Sequence, residues 1–132
     1  MQNTIKVLLA DDHEEFRQTL AAFLNQQRTV HVVAEAANGN EAIELAHRLC
    51  PDVVLLDLNM PQKNGYEASR AIKRQRPTTK VFIVSTNDEE IYRKVAELNL
   101  ANGYFTKTSL KKDILELIDE LLNAQEADSI AA

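Results

Sequence analysis

A chain of 132 residues has room for one well-cored domain, and its 45% hydrophobic and 27% charged residues are ordinary globular composition, which excludes disordered and fibrous classes. A net charge of -5 with no block of Lys and Arg argues against direct nucleic-acid binding by this chain. The single cysteine, Cys50, excludes an internal disulfide and a Cys-rich zinc site. The longest apolar runs reach four or five residues, far short of a membrane span, and the opening MQNTIK lacks a signal-peptide form. A cytoplasmic location with no membrane partner is the expectation.

In chain order, Ile5–Ala10 predicts a first strand, and Phe16, Leu20, Phe23 and Leu24 recur at helical spacing after it. A second strand, Val30–Ala34, alternates Val30, Val32 and Ala34 against His31, Val33 and Glu35. Ile43, Ala46 and Cys50 mark a second helix, with Cys50 read as a buried thiol at its end. Val53–Leu56 is the third strand, and Ala68, Ala71 and Ile72 mark the third helix. Val81–Val84 is the fourth strand, followed by a helix carrying Ile91, Val95 and Leu98. A short fifth strand holds Tyr104 and Phe105. The last helix carries Leu110, Ile114, Leu117, Ile118 and Leu121. Leu115 and Leu122 widen that stripe, as core or as a contact face for a partner or a second copy. All glycines and prolines (Gly39, Gly65, Gly103, Pro51, Pro61, Pro77) fall between segments. The domain is expected over residues 1–124, with 125–132, small and polar, as a frayed tail.

Five β-α units predict the α/β class: a five-stranded parallel sheet, doubly wound by five helices. Val7–Ala10 of the first strand, Val53–Leu56 and Val81–Val84 are apolar at every position, as strands buried on both faces must be. The alternating second strand and the short fifth read as edges. Right-handed crossovers then give the order 2-1-3-4-5, a flavodoxin-like arrangement.

In such sheets ligands bind beyond the carboxyl ends of the strands, where the strand order reverses. Here that place lies between strands 1 and 3. Strand 1 runs into Asp11-Asp12, strand 3 into Asp57, strand 4 into Ser85-Thr86, and strand 5 into Thr106-Lys107. Each has an ordinary explanation: Asp12 or Thr86 as a helix cap, Asp57 as a turn residue, Lys107 as a solvated lysine. Those explanations leave unexplained why all four gather at matching strand ends. Two unit charges 4 Å apart repel by about 4 kcal/mol at an effective dielectric of 20, so three clustered carboxylates call for a proton or a cation. Oxygen ligands without imidazole or thiolate favour a hard ion, Mg²⁺ first, with Mn²⁺ as the alternative. An aspartate can act as nucleophile toward phosphorus, and phosphoryl transfer demands mainly positioning and charge neutralisation. His13 reads as a surface residue of the first helical turn, and His31 and His47 have no partner at metal-ligand spacing.

The stretches VLLADDHEEFR, PDVVLLDLNMPQKNGYEASR, KVFIVSTND and ANGYFTK, spread over about residues 4 to 123, resemble the receiver domain of bacterial two-component response regulators. The resemblance implies a phosphorelay signalling switch, a phosphoprotein regulated through an aspartyl phosphate rather than a conventional enzyme. It implies that Asp57 is the phosphoacceptor. Asp12 and Asp57 would be metal ligands, joined by the backbone carbonyl of Asn59 and by Asp11 through water. Ser85, with Thr86 beside it, would bind the phosphoryl group, Lys107 would pair with its oxygen, and Tyr104 would be the aromatic residue that turns inward as Ser85 moves. Pro61 and Gly65 would position the loop after strand 3. The implied partner is a sensor histidine kinase or histidine phosphotransfer protein, with phosphorylation-dependent homodimerisation an added prospect.

The chain departs from the family pattern at three places. Thr108 follows Lys107 where proline in a cis bond is usual, so a trans bond is expected. Leu100 stands where many relatives end a helix with glycine, so Asn99 or Asn102 is expected to take the left-handed turn. Thr86 is bulkier than the usual small residue and would narrow access to Asp57. DDHEEFR and VVAEAANGNEAIELA look most like receivers fused to a LuxR-type helix-turn-helix output domain. This chain then reads as a stand-alone receiver or as the receiver half of a transcription regulator. Two competitors are a Mg²⁺-dependent phosphatase of the haloacid-dehalogenase type, which wants an aspartate where Asn59 stands, and a flavodoxin-like cofactor binder, which wants a phosphate loop where Asp11-Asp12-His13 stands.

Overall fold

The computed structural model describes residues 4–131. Its elements alternate as expected: β1 (Ile5–Ala10), α1 (Glu14–Asn25), β2 (Val30–Ala36), α2 (Gly39–Leu49), β3 (Val53–Asp57), α3 (Gly65–Gln75), β4 (Lys80–Ser85), α4 (Glu90–Leu98), β5 (Gly103–Thr106) and α5 (Leu110–Ala131). The strands form one parallel sheet in the order β2-β1-β3-β4-β5. One face packs on α1 and α5 through Ile5, Val7, Leu24, Leu55, Ile114 and Ile118. The other packs on α2, α3 and α4 through Leu8, Val54, Leu56, Ala46, Ile72 and Ala96. Burial on both faces explains why the central strands are apolar without alternation. Among the described residues no helix is long and apolar enough to cross a membrane.

The edge strand β2 departs from simple alternation. Val7 pairs with Val32 but Leu8 pairs with Ala34, so Val33 is an extra residue opposite β1. This bulge reverses the phase of the strand. Val30 faces the α1/α5 side, whereas Ala36 is buried on the α2 side. Glu35 meets Arg17 of α1, whose Nε donates to Glu35 Oε1 at 3.0 Å.

Helix α4 also differs from its expected core stripe. Its buried residue is Ala96, while Ile91 and Leu98 are 61% and 71% exposed. The apolar spacing is real, but much of it faces solvent. At the C-terminus of α4 the left-handed residue is Leu100 itself, with φ 70. Leu100 N donates to Glu97 O at 3.0 Å and Ala101 N to Ala96 O at 3.1 Å, the paired bonds of a Schellman cap. Neither asparagine is free to take that turn. Asn99 Nδ2 donates to Val95 O and Asn99 O accepts from Ser69 Oγ, while Asn102 Oδ1 accepts from Val81 N. A leucine held left-handed costs about 1 kcal/mol. Leu100→Gly is therefore expected to raise stability by up to about 1 kcal/mol in urea unfolding; a loss would show that Leu100 contacts outweigh the backbone strain.

Two further expectations are corrected. Cys50 is the left-handed C-cap of α2 at φ 49 and is exposed, because the turn into Pro51 carries it off the buried face. Residues 125–131 are not a frayed tail but the last turns of α5. The stretch holds no Gly or Pro and is rich in Ala, Gln and Glu, so helix propagates through it; residue 132 lies outside the described residues. No cis peptide bond occurs among the described residues, Lys107-Thr108 included.

Candidate functional site

The carboxyl ends of β1, β3, β4 and β5 bring Asp11, Asp57, Ser85 and Lys107 together. Asp57 is the last residue of β3 and is 5% exposed, and Asp11, just past β1, is also 5% exposed. Lys107 Nζ bridges them, 3.2 Å from Asp11 Oδ2 and 3.4 Å from Asp57 Oδ1. The ammonium also lies over the Phe16 ring, 4.3 Å from its centroid. Asp12 is more exposed, and its Oδ1 lies 3.2 Å from His13 Nδ1. Ligand atoms of Asp11, Asp12, His13 and Asp57 all lie within 4.8 Å of one another. Burial is the main force that pushes the Asp57 carboxyl up from 3.8 to about 6; the neighbouring Asp11 adds to it, and Lys107 opposes both. A pocket that raises its own carboxylate in this way gains from a bound cation.

The turn after β1 is built to hold its carboxylates. Asp11 Oδ1 accepts from His13 N at 2.8 Å, which fixes the side chain beside its own backbone. Arg17 Nη1 donates to Asp11 O at 2.7 Å while its Nε holds Glu35, tying α1 to the strand end. On the opposite side, Gly65 N donates to Leu58 O at 2.8 Å, and a Cβ at Gly65 would stand 2.6 Å from Asp57 O. Glycine is needed there for close approach, not for a positive φ. The α3 terminus is fixed by a capping box of Asn64 and Glu67. Asn59, two residues past Asp57, is exposed.

Ser85 is 2% exposed, and its Oγ accepts from Asn87 N at 3.1 Å. Lys107 N donates to Ser85 O at 2.8 Å. Thr86 is exposed and lines a cleft of about 730 Å³ together with His13, Phe16 and Lys107. Tyr104 already lies inward, 7% exposed, with its hydroxyl donating to Asn87 O at 2.7 Å. Arg93 covers the ring at 5.0 Å and pairs with Asp88 at 2.9 Å. Burial raises the Tyr104 phenol, so the hydroxyl keeps its donor proton at neutral pH.

A family model described as "Response regulator receiver domain" matches residues 7–119. The chain belongs to the response regulator receiver family. Response regulator protein VraR of Staphylococcus aureus is 40% identical over 117 residues, covering 87% of this chain and 55% of that protein. This receiver thus spans about half the length of the curated relatives it matches. A LuxR-family two-component response regulator from Aurantimonas sp. SI85-9A1 superposes with a TM-score of 0.85 at 30% identity, covering 92% of this chain and 87% of that one. The response regulator domain of Thermotoga maritima CheB superposes at 0.83 with 33% identity, covering 92% and 98%. The flavodoxin-like fold and the place in a two-component system follow from these likenesses.

Four residues of the receiver's site were not singled out as such from sequence. Phe16 reads as core stripe, yet it carries Lys107 on its ring. Arg17 holds the Asp11 carbonyl. Asn87 links Ser85 to Tyr104. His13 is exposed at the start of α1, as expected, and also joins the acidic cluster. For Arg17 a signal existed: it lies one helical turn beyond His13, on the side of α1 that faces the strand end.

Proposed function

We propose that this receiver is a phosphoryl-accepting signalling switch in which Asp57 is the phosphoacceptor. The observation that carries the reading is the buried Asp57 carboxylate, 3.4 Å from Lys107 and clustered with Asp11 and Asp12. An Asp57 oxygen forms a bond to phosphorus, the bond from phosphorus to the donor histidine nitrogen breaks, and the imidazole leaves with that electron pair. Asp12, Asp57, the Asn59 carbonyl and, through water, Asp11 would hold a divalent cation, Mg²⁺ or Mn²⁺; when bound it supplies neutralising charge for the incoming phosphoryl group. Their all-oxygen donor set fits that role. Lys107 takes up a phosphoryl oxygen, and the Ser85 hydroxyl turns from Asn87 to another, beside Thr86. Pro61 and Gly65 keep the loop after Asp57 in place.

The output follows from the same contacts. Ser85 Oγ and the Tyr104 hydroxyl both bind Asn87. Withdrawing Ser85 frees the β4-α4 loop that Tyr104 holds, and Tyr104, being inward already, needs no large swing. The α4-β5-α5 face then changes its partner contacts, and Ile91 and Leu98 of α4 are exposed. Such a switch is regulatory rather than a conventional enzyme, acting on itself alone. We place it in the cytoplasm, with a sensor histidine kinase or histidine phosphotransfer protein as phosphodonor. A second reading of the output is favoured by the 55% coverage of VraR and by the likeness to a DNA-binding response regulator of the LuxR family from Staphylococcus aureus: the chain corresponds to the receiver half of a DNA-binding regulator, dimerising on phosphorylation.

Site mapping tests the reading. After acetyl phosphate and Mg²⁺, borohydride reduction is expected to convert Asp57 to homoserine in peptide mass spectra. Reduction at another aspartate would reject Asp57 as the acceptor.

A further inference from the structure

His13 is the one imidazole in the acidic cluster among the described residues. Its Nδ1 lies 3.1 Å from Asp11 Oδ1 and 3.2 Å from Asp12 Oδ1. Two ligands at right angles on a cation, each about 2.1 Å away, stand about 3 Å apart. The imidazole and the Asp12 carboxylate are thus spaced as neighbouring ligands of one ion, while Asp11 Oδ1, at hydrogen-bonding distance from Nδ1, holds the ring beside them. Asp11 is used from two sides: Oδ2 faces Lys107, and Oδ1 faces His13. The backbone bond from His13 N to Asp11 Oδ1 places ring and carboxylate together before any ion arrives.

We propose that His13 Nδ1 is an additional protein ligand of this site, used for borderline transition cations such as Co²⁺ or Ni²⁺, whereas Mg²⁺ is held by the oxygen ligands alone. The inference rests on the reading of the acidic cluster as a cation site. Imidazole suits first-row transition metals, while Mg²⁺ prefers oxygen and retains water. For ligation the Nδ1 lone pair must face the ion, so the ring takes the Nε2–H tautomer, with Nε2 hydrogen-bonding to solvent. His13 can serve without strain on the fold. Its side chain is 69% exposed, and as the residue capping α1 it makes no side-chain cap bond. The consequence is a receiver whose cation preference departs from that of an all-oxygen site.

Calorimetric titration with Co²⁺ and with Mg²⁺ separates the outcomes. His13→Ala is expected to weaken Co²⁺ binding about tenfold or more and leave Mg²⁺ within about twofold. His31→Ala and His47→Ala should change neither. In imidazole ¹⁵N spectra, one equivalent of Co²⁺ should move the His13 Nδ1 resonance and leave the His31 and His47 rings in place. Equal weakening of both cations, or unchanged Co²⁺ affinity, would overturn the ligand role and leave the cation site standing. Wild type that binds neither cation would overturn the cation site itself, and this inference with it.

Discussion

Asp57→Asn is expected to make the metal-free protein more stable at neutral pH, by about 2–3 kcal/mol. Burial, with Asp11 beside it, holds the folded carboxyl near about 6 against its ordinary 3.8. The folded state therefore keeps a proton that the unfolded chain releases earlier. This contribution to stability is complete below about 4, declines as pH rises, and is lost above about 6. Asparagine keeps the shape and drops the charge. Lys107 still has Asp11 Oδ2 at 3.2 Å, so the variant leaves no cation unpaired. Urea unfolding in EDTA should show the two proteins converging near pH 4 and diverging above pH 6, with the variant ahead. A variant less stable than wild type at pH 7.5 would show that the Lys107–Asp57 attraction outweighs burial. Excess divalent cation should shrink the difference, because it stabilises the charged carboxylate of the wild type.

Gly39→Ala is expected to be among the most damaging small substitutions, at about 3 kcal/mol. A Cβ there would stand 2.0 Å from the Lys63 carbonyl oxygen, a backbone atom that no rotamer change can move. The contact joins the start of α2 to the loop after Asp57, where Asn40 Nδ2 also donates to Gln62 Oε1 at 2.9 Å. Displacing it shifts the segment that carries Asn59, Pro61 and Gly65. Gly103→Ala meets instead the Phe82 ring at 2.9 Å, which stacks on Phe105. A side chain can yield, so the loss there should be nearer 1 kcal/mol. Guanidinium unfolding of both variants gives the comparison. Equal losses, or a larger one at Gly103, would contradict the tight α2–loop contact.

Much of this architecture is legible in the residues because burial on two faces writes itself as runs without alternation. The order β2-β1-β3-β4-β5 follows from which runs are fully apolar and from crossover handedness. The bulge at Val33 is not legible, since no glycine or proline marks it and it shows only in pairing with β1. The stripe of α4 is legible as a stripe but not as exposed: spacing reports that Ile91 and Leu98 share a side, not what covers them. Leu100 takes a glycine's conformation because both nearby asparagines are engaged elsewhere.

The same division holds at the site. Asp11, Asp57, Ser85 and Lys107 can be placed together from sequence because strand ends in a parallel sheet share one edge. Phe16, Arg17 and Asn87 cannot, because their roles depend on side-chain direction across separate elements. His13 is the clearest case. Its place in the first helical turn reads as surface, whereas its ring also lies beside two carboxylates of its own turn.

The central claim is that Asp57 carries the signal as an acyl phosphate, and intact mass spectrometry tests it most directly. With acetyl phosphate and Mg²⁺, wild type should gain the mass of one phosphoryl group, and EDTA should prevent the gain. Asp57→Asn should gain nothing under the same conditions. A phosphorylated Asp57→Asn variant, or wild type without an adduct, would contradict the account.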